Sequence, residues 1–204
     1  MNVAAGVVCT LMAKFLYSAA MSLDGFIAGP GGDVSWMVDS LGPNPVVDEL
    51  ITRTGAILVG NRTFGGDDPY KGREGEGEAF GGGWDGPQFV LTHRPPSVQM
   101  PGVTFVGDID TAISEARSAA GDKYVNILGA SVAAQCLAAG VLDEVLVSVV
   151  PVLLGDGTRL FEHPGGKTVR LKQIKVLHTP QMTNLWYGIA FQARQQTGVA
   201  FEYD

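Results

Sequence analysis

The 204-residue sequence predicts a single α/β domain whose sheet has a largely parallel centre and an antiparallel C-terminal part. Short apolar segments alternate with helix-like segments over the first three quarters of the chain, as is typical of a parallel sheet with crossover helices. After Gly155, two segments of period-two character follow each other with no helix between them, which indicates an antiparallel pair. No repeat or linker divides the chain, and its length fits one hydrophobic core.

The predicted strands and helices are easiest to follow as sequence segments. In chain order they are "KFLYSAAMS", "PVVDELITRTG", "AILVG", "QFVLT", "VTFVG", "DIDTAISEARSAAG", "YVNILG", "ASVAAQCLAAG", "DEVLVSVVPVLLG", "TVRLKQIKVLHT" and "MTNLWYGIAFQAR". The segment "DIDTAISEARSAAG" has apolar residues at helical spacing, with Asp108 or Asp110 as its cap and Gly121 as its end. The apolar run 145–150 lacks alternation, so we expect a central strand that is covered on both faces.

Composition and charge narrow the classes of function. A 46% hydrophobic content with 17% charged residues is typical of a globular protein with a core. The net charge of −7 disfavours nucleic-acid binding, which usually requires a basic surface. Two cysteines, Cys9 and Cys136, form neither a disulfide framework nor a metal cluster and fit a reducing cytoplasm. The three histidines have no metal-ligand spacing, so no metal site is expected. Cys136 is interpreted as a packed apolar residue.

Both ends of the chain are interpreted as tails around a domain at residues 14–194. Residues 1–13 are apolar, but no basic residue precedes the apolar part, and the segment is too short to span a bilayer. We expect a loose tail, or a natural start at Met12, with a targeting segment as the alternative. Residues 195–204 are expected to form a C-terminal tail. No membrane contact is predicted.

The loop "GGDDPYKGREGEGEAFGGGWDG" contains a G-x-G-x-x-G pattern at Gly81, Gly83 and Gly86. A dinucleotide loop with this pattern follows a strand and opens a helix, and neither is evident here. The loop's acidic residues would also repel a pyrophosphate. We therefore interpret it as a mobile surface loop, in which Trp84 can cover a ligand.

Three strand ends carry residues suited to anions. Asn61, Arg62 and Thr63 follow Gly60 and can begin a helix whose free N–H groups face a phosphate; a capped turn with a solvent-facing arginine is the alternative. After the next strand, Arg94 in a second turn can bind a ribose 2′-phosphate. After a third strand, small residues at the first turn of a helix allow a pyrophosphate to approach closely, or serve tight helix packing. The second and third turns are formed by Thr92, His93 and Arg94 and by Gly129, Ala130 and Ser131.

Five segments taken in order resemble one family. They are "SLDGFIAG" at 22–29, "VGNRTF" at 59–64, "VLTHRP" at 90–95, "LGASVAAQCLAAGVLDE" at 128–144 and "PVLLGDGTRLF" at 151–161. The family is the RibD C-terminal reductase family, with a dihydrofolate reductase-like fold, and particularly its stand-alone bacterial members. The resemblance covers about residues 14–194. It implies a three-layer α/β/α domain with a mixed, mostly parallel sheet, usually a homodimer, that binds NADPH across the strand ends.

The resemblance also assigns residues to the cofactor. The phosphate-binding turn falls on 60–63, the adenosine-phosphate turn on 92–94 and the pyrophosphate turn on 129–132, which adds Val132. The nicotinamide is expected near Ala19, Ile27 and Ala28. Family members commonly have a Gly-Gly pair where this chain has Leu128-Gly129, so we expect an altered turn, because a leucine disfavours positive φ. The family's deaminase domain and its zinc signature are missing.

Asp24 is the candidate catalytic residue, because the resemblance places an acid against the substrate beside the nicotinamide. We expect Asp24 to be partly buried with a raised pKa, so that it donates a proton or a hydrogen bond to a polar heterocycle. An Asp-Gly turn with an exposed acid is the alternative. Trp36 and Trp84 are candidates to stack on a flat substrate ring, or to pack on the surface.

The expected function is reduction of a small polar heterocycle, such as a pterin or a ribosylaminopyrimidine-like compound, by NADPH. Two alternatives remain open. One is a nucleotide-binding sensor or scaffold with the same fold and no turnover, motivated by Leu128. The other is a flavin-binding oxidoreductase, which would purify as a yellow protein.

Overall fold

A computed structural model of the chain describes residues 12–97 and 99–190. The strands are β1 (Lys14–Ser22), β2 (Phe26–Ala28), β3 (Thr54–Gly60), β4 (Gln88–Leu91), β5 (Val103–Val106), β6 (Tyr124–Leu128), β7 (Leu142–Val150), β8 (Thr158–Arg159), β9 (Leu171–His178) and β10 (Thr183–Ile189). The helices are α1 (Pro45–Arg53), α2 (Asn61–Phe64), α3 (Ile109–Ala120) and α4 (Ala130–Ala138). Residues 1–11 and the tail predicted at 195–204 lie outside the described residues, and so does Cys9.

The main sheet has eight strands in the order β5-β4-β3-β6-β1-β7-β10-β9. All pairings from β5 through β7 are parallel. The last two strands, β10 and β9, run antiparallel to their neighbours. The prediction of a parallel centre followed by an antiparallel C-terminal pair is confirmed. A second sheet of two short strands, β2 and β8, was not predicted, because strands of two or three residues show no periodicity.

The sheet separates two apolar layers, so the domain has three layers. On one face, Phe15 and Tyr17 of β1 share a core with side chains of α3 and α4. On the other face, Leu16 shares a core with Val46 and Leu50 of α1. The strand β7 lies between β1 and β10 and is buried over most of its length, as its unbroken apolar run predicted. The predicted three-layer α/β/α architecture is confirmed.

The helix boundaries follow from ordinary capping. Asp108 accepts a hydrogen bond from the N–H of Thr111 at 2.8 Å, and Gly121 follows the last turn of α3 with a φ of 65°. Asn44 caps α1 in the same way, by accepting from the N–H of Val46 at 3.2 Å. Of the two predicted caps for α3, Asp108 is therefore the correct one.

A buried carboxylate connects β1, β6, β7 and β10 at the end of the sheet where β1 begins. Glu144 is 5% exposed and accepts hydrogen bonds from Lys14 Nζ at 2.9 Å, Tyr124 OH at 2.9 Å and Trp186 Nε1 at 2.7 Å. Arg53 of α1 donates to the same tyrosine oxygen at 2.7 Å. Buried donors that lose their acceptor retain the cost of desolvation.

We expect Glu144→Ala to lower the free energy of unfolding by about 2–4 kcal/mol, because it leaves the tyrosine hydroxyl and the indole N–H without an acceptor. Urea denaturation followed by tryptophan fluorescence measures the change. The control is Glu115→Ala on the exposed face of α3, which should change stability by less than about 0.5 kcal/mol. Equal unfolding midpoints for the two variants would contradict this role of Glu144.

Candidate functional site

The three predicted anion turns lie together at one edge of the sheet. β4, β3 and β6 are adjacent and parallel, so their carboxyl ends reach the same edge. Turn 60–63 follows β3, turn 92–94 follows β4 and turn 129–132 follows β6. Ligands of open α/β sheets bind at this edge, and the topology therefore brings the three turns into one candidate site.

Two of the turns touch through glycine. Gly129 has a φ of 99°, and a Cβ atom at this position would lie 2.6 Å from Thr63 Oγ1. A Cβ atom on Gly60 would lie 3.2 Å from Val132 Cγ2. A side chain is therefore excluded at Gly129 and would be tight at Gly60, so the two turns pack closely against each other.

The first turn of α4 presents unpaired donors at this contact. Ala130 and Ser131 begin the helix, and Gly129 before them has no side chain that could cap it. The first N–H groups of an α-helix have no carbonyl partner within the helix, and they carry the positive end of its dipole. With the exposed Ser131 hydroxyl, they form a set of hydrogen-bond donors suited to a phosphate.

Leu128 does not distort this turn. It is the last residue of β6, pairs with Val59, and packs against the apolar cluster that contains Ile57 and Val90. Among the described residues other than glycine, Phe80 alone has a positive φ. Gly129 takes the positive φ, so the turn forms without strain at Leu128; an effect of Leu128 on the cofactor stays a prediction.

The second turn, after β4, is held by its own threonine. Thr92 is 8% exposed, donates its N–H to Val106 O at 2.9 Å, and accepts a hydrogen bond from the Arg94 N–H at 3.1 Å. The side chains of His93 and Arg94 are exposed, as is that of Arg62 in the first turn. Among the described residues, no carboxylate lies within 4.0 Å of these three cationic or imidazole groups.

A gap opens beside the turns, between β1 and β6. The pairing of β1 with β6 ends at Tyr17 and Ile127, whereas the pairing of β1 with β7 continues as far as Ser22. Beyond Tyr17 the backbone of β1 therefore has a free edge toward β6, lined by small residues such as Ala19. Ile27 and Ala28 lie in β2, just past the tip of β1, and both are partly buried.

Asp24 is fixed at the tip of β1 by three donors. The Ser22 hydroxyl donates to Oδ1 at 2.7 Å, the Leu154 N–H to Oδ1 at 3.1 Å and the Gly155 N–H to Oδ2 at 2.7 Å. These hydrogen bonds, that from Ser22 above all, lower the pKa of Asp24 to about 2. The prediction of a raised pKa was wrong, and Asp24 is an ionised acceptor rather than a proton donor.

The two candidate substrate residues, Trp36 and Trp84, lie at different ends of the sheet. Trp84 donates its indole N–H to Thr54 O at 3.1 Å, at the amino end of β3. Six residue steps along the strand separate Thr54 from Gly60, roughly 20 Å. Trp84 is therefore packed at the end of the sheet opposite the turns, and its assignment to the substrate stays a prediction.

Trp36 lies at the same end of the sheet as the three anion turns. It belongs to a short 3₁₀ turn, Ser35–Ser40, and the preceding Val34 N–H donates to Asp67 Oδ2 at 3.2 Å, just beyond α2. The Trp36 indole N–H is buried and has no acceptor among the described residues. A buried donor of this kind is costly unless a ligand or water satisfies it.

The G-x-G-x-x-G part of the glycine-rich loop forms none of the three anion turns. It connects α2 to β4 and contains a 3₁₀ turn at Ala79–Gly82, so its G-x-G-x-x-G pattern neither follows a strand nor opens an α-helix. Its Glu74, Glu76, Glu78 and Asp85 are exposed. The interpretation as a surface loop is confirmed.

Sequence reasoning missed Arg159. This residue of β8 pairs with Phe26, and its guanidinium carbon lies 4.6 Å from the centre of the Phe26 ring. Its NH1 atom lies 3.9 Å from the place of a Cβ on Gly25, so a cation stands beside the Asp24 turn. The segment "GDGTRLF" contains it, but only the pairing of β2 with β8 brings it to the tip of β1.

Other site chemistries have no support in the part of the chain that the structure describes. It contains no group of three His, Cys, Asp or Glu side chains that could hold a metal ion. It also contains no helix long and apolar enough to cross a membrane. Cys136 is buried, and burial raises the pKa of its thiol to about 12, which agrees with a packing role.

Comparison with known proteins gives the family and the fold. The RibD C-terminal domain matches residues 13–185, and the chain therefore belongs to this family. Bacillus subtilis YyaP, an uncharacterised protein, is 22% identical over 152 residues, which is 72% of this chain and 80% of that protein.

Two solved structures show the same fold. A Shewanella protein with a proposed role in riboflavin biosynthesis superposes with a TM-score of 0.66 at 23% identity, over 86% of this chain and 98% of its own. Dihydrofolate reductase from Enterococcus faecalis, in complex with NADP(H), superposes with a TM-score of 0.59 at 14% identity, over 89% and 99%. The predicted dihydrofolate reductase-like fold is confirmed.

The contacts of Asp24 predict its titration. Because its pKa is lower in the folded than in the unfolded chain, its contribution to stability is present above about pH 4 and is lost as the pH falls toward 2. Carbon-13 NMR of the carboxyl group should show a midpoint near pH 2. Ser22→Ala removes the strongest donor and should move that midpoint upward. A midpoint above 4 in the unmodified protein would contradict the lowered pKa and the part that these three donors play in it.

Proposed function

We propose that this protein is an NADPH-dependent reductase of a small polar heterocycle. The observation that carries the proposal is the meeting of three donor-rich turns at the carboxyl edge of adjacent parallel strands, beside the gap between β1 and β6. Membership in the RibD C-terminal domain family and the shared fold with an NADP(H)-bound dihydrofolate reductase support it.

The three turns bind different parts of the cofactor in this proposal. In this proposal the pyrophosphate binds where turns 60–63 and 129–132 touch, because the glycines there let a ligand reach backbone N–H groups. Arg94, with His93 and Thr92, binds the ribose 2′-phosphate, since a guanidinium offers paired donors to such a group. The nicotinamide enters the gap along Ala19, with Ile27 and Ala28 at its outer end.

The cofactor supplies a hydride, and the chain supplies orientation and electrostatics. We assign to Asp24 the role of a fixed acceptor: its ionised carboxylate can receive a hydrogen bond from a ring N–H or amino group of the substrate. A proton donor would need a pKa nearer neutrality. Trp36 offers an aromatic surface and an indole N–H that lacks an acceptor among the described residues, which favours a substrate with an acceptor atom.

The two other functions considered for the sequence have less support. A binding protein without turnover was motivated by strain at Leu128, and the structure shows none there. A flavin-binding oxidoreductase has no specific observation in its favour. A productive acceptor among pterins, dihydrofolate and pyrimidines would exclude the binding-only role, and a colourless protein that gains no flavin would exclude the third.

The 2′-phosphate assignment predicts cofactor selectivity. In a fluorescence titration NADPH should bind more tightly than NADH, and Arg94→Ala should weaken NADPH by about tenfold or more while it leaves NADH nearly unchanged, because one charge-assisted pair is lost.

Arg73→Ala, an exposed arginine of the glycine-rich loop, is the matched control and should change neither affinity. Equal affinities of the unmodified protein for the two nucleotides would contradict the role of Arg94. Binding of neither nucleotide would contradict the proposal as a whole.

We also propose that the protein is a cytoplasmic homodimer. The edge strand β9 exposes Leu171, Ile174 and Val176, three large apolar side chains that a second copy would cover. Sedimentation equilibrium of the full chain should give twice the mass of 21.5 kDa, and Ile174→Glu should shift it toward the monomer. A monomeric unmodified protein would exclude this assembly.

A further inference from the structure

A cavity lies over β7 and β10 on the face of the sheet that α3 and α4 cover. Its volume is about 410 Å³, within the range of roughly 300–1,000 Å³ that is usual for small-molecule sites. Its floor is formed by Val145 and Val147 of β7 with Leu185 of β10, and Leu137 of α4 closes one side. It shares no lining residue with the three anion turns.

The segment 160–171 covers this cavity and is anchored at both ends. Tyr17 donates its hydroxyl to Leu160 O at 3.2 Å, and its ring meets that of Phe161 edge-on at 5.3 Å between centroids. At the other end, the Ala190 N–H donates to Arg170 O at 2.9 Å. The cavity therefore lies between a sheet, a helix and an anchored segment.

The polar side chains that line the cavity are all hydrogen-bond donors. His163, Lys167 and Tyr187 can each donate a hydrogen bond, and all the other lining side chains are apolar. No Asp or Glu lines the cavity, although the chain has a net charge of −7. Among the described residues, Lys167 has no carboxylate within 4.0 Å.

We propose that this cavity binds an amphipathic monoanion, a ligand with a hydrocarbon body and a carboxylate head. The apolar walls bury the hydrocarbon, and the ammonium of Lys167 pairs with the carboxylate. His163 and Tyr187 supply further donors to the same head. Such a ligand complements an unpaired ammonium group that lies among apolar side chains.

The shape of the site favours a small molecule over a second copy of the chain. The sheet, α4 and segment 160–171 bound the cavity, which is open to solvent where His163, Lys167 and Leu171 are exposed. The segment would stand between the floor and a flat partner surface. Of the apolar side chains proposed for dimer contact, Leu171 lines the cavity and Val176 is paired with Leu185 of its floor, so the two surfaces adjoin along β9. The ligand site does not depend on the proposed reductase function.

Dodecanoate is a suitable probe for isothermal titration of the full-length protein. We expect binding at one site per chain. Lys167→Ala should weaken dodecanoate by about tenfold or more, because the charge-assisted pair is lost. The same variant should leave the affinity for dodecanol, which has no charge, nearly unchanged.

Two further variants complete the test. Val169→Trp places a large side chain at a partly exposed lining position and should abolish binding of both probes with no loss of the folded state by circular dichroism. Lys172→Ala, an exposed lysine of β9 that does not line the cavity, is the matched control and should bind dodecanoate normally.

Three outcomes would overturn the proposal. Dodecanoate that does not bind, or binds at many sites per chain, would show that the cavity has no such ligand. Equal weakening by Lys167→Ala and Lys172→Ala would show a diffuse effect of surface charge. Binding that appears only after Ile174→Glu dissociates a dimer would show that a second copy covers the face.

Discussion

The strand β1 is paired with its two neighbouring strands over different lengths, and the candidate site depends on this difference. It stays paired with β7 along its whole length but leaves β6 after Tyr17. The start of β1 is fixed strongly: the Phe15 N–H donates to Asp143 Oδ2 at 2.8 Å, and Lys14 pairs with the buried Glu144. A strand anchored at its beginning and along one side can present a free backbone edge on the other without losing its place.

In the proposed anion site, backbone N–H groups rather than side-chain charges are the main donors. An acidic chain would weaken long-range attraction of a nucleotide, yet short contacts to N–H groups at a helix start act locally. Gly129 and Gly60 make this possible, since any side chain there would meet Thr63 or Val132. Arginines 62 and 94 then add charge at the periphery, where they are exposed and unpaired among the described residues.

The sequence predicted the features that depend on local pattern. Apolar segments alternating with helix-like segments predicted the parallel centre, period-two character predicted the β9–β10 pair, and the segments after β3 and β6 predicted turns that begin helices. It could not predict features that depend on residues distant in the chain. The pKa of Asp24 is set by Leu154 and Gly155, about 130 positions away, and Trp84 lies at the amino end of the sheet because of a contact with Thr54. The Arg159 position depends likewise on pairing between β2 and β8.

The central claim is that a nicotinamide cofactor binds at the carboxyl edge of the sheet, beside the gap between β1 and β6. Mapping of backbone amide NMR shifts during titration with NADPH tests this claim most directly. The account predicts that the largest shifts occur in residues 19–21, 60–63, 92–94 and 129–132, and that Thr54, Gly55 and Trp84 at the opposite end stay unchanged. Shifts concentrated around Trp84, or no saturable shifts at the three turns, would contradict it.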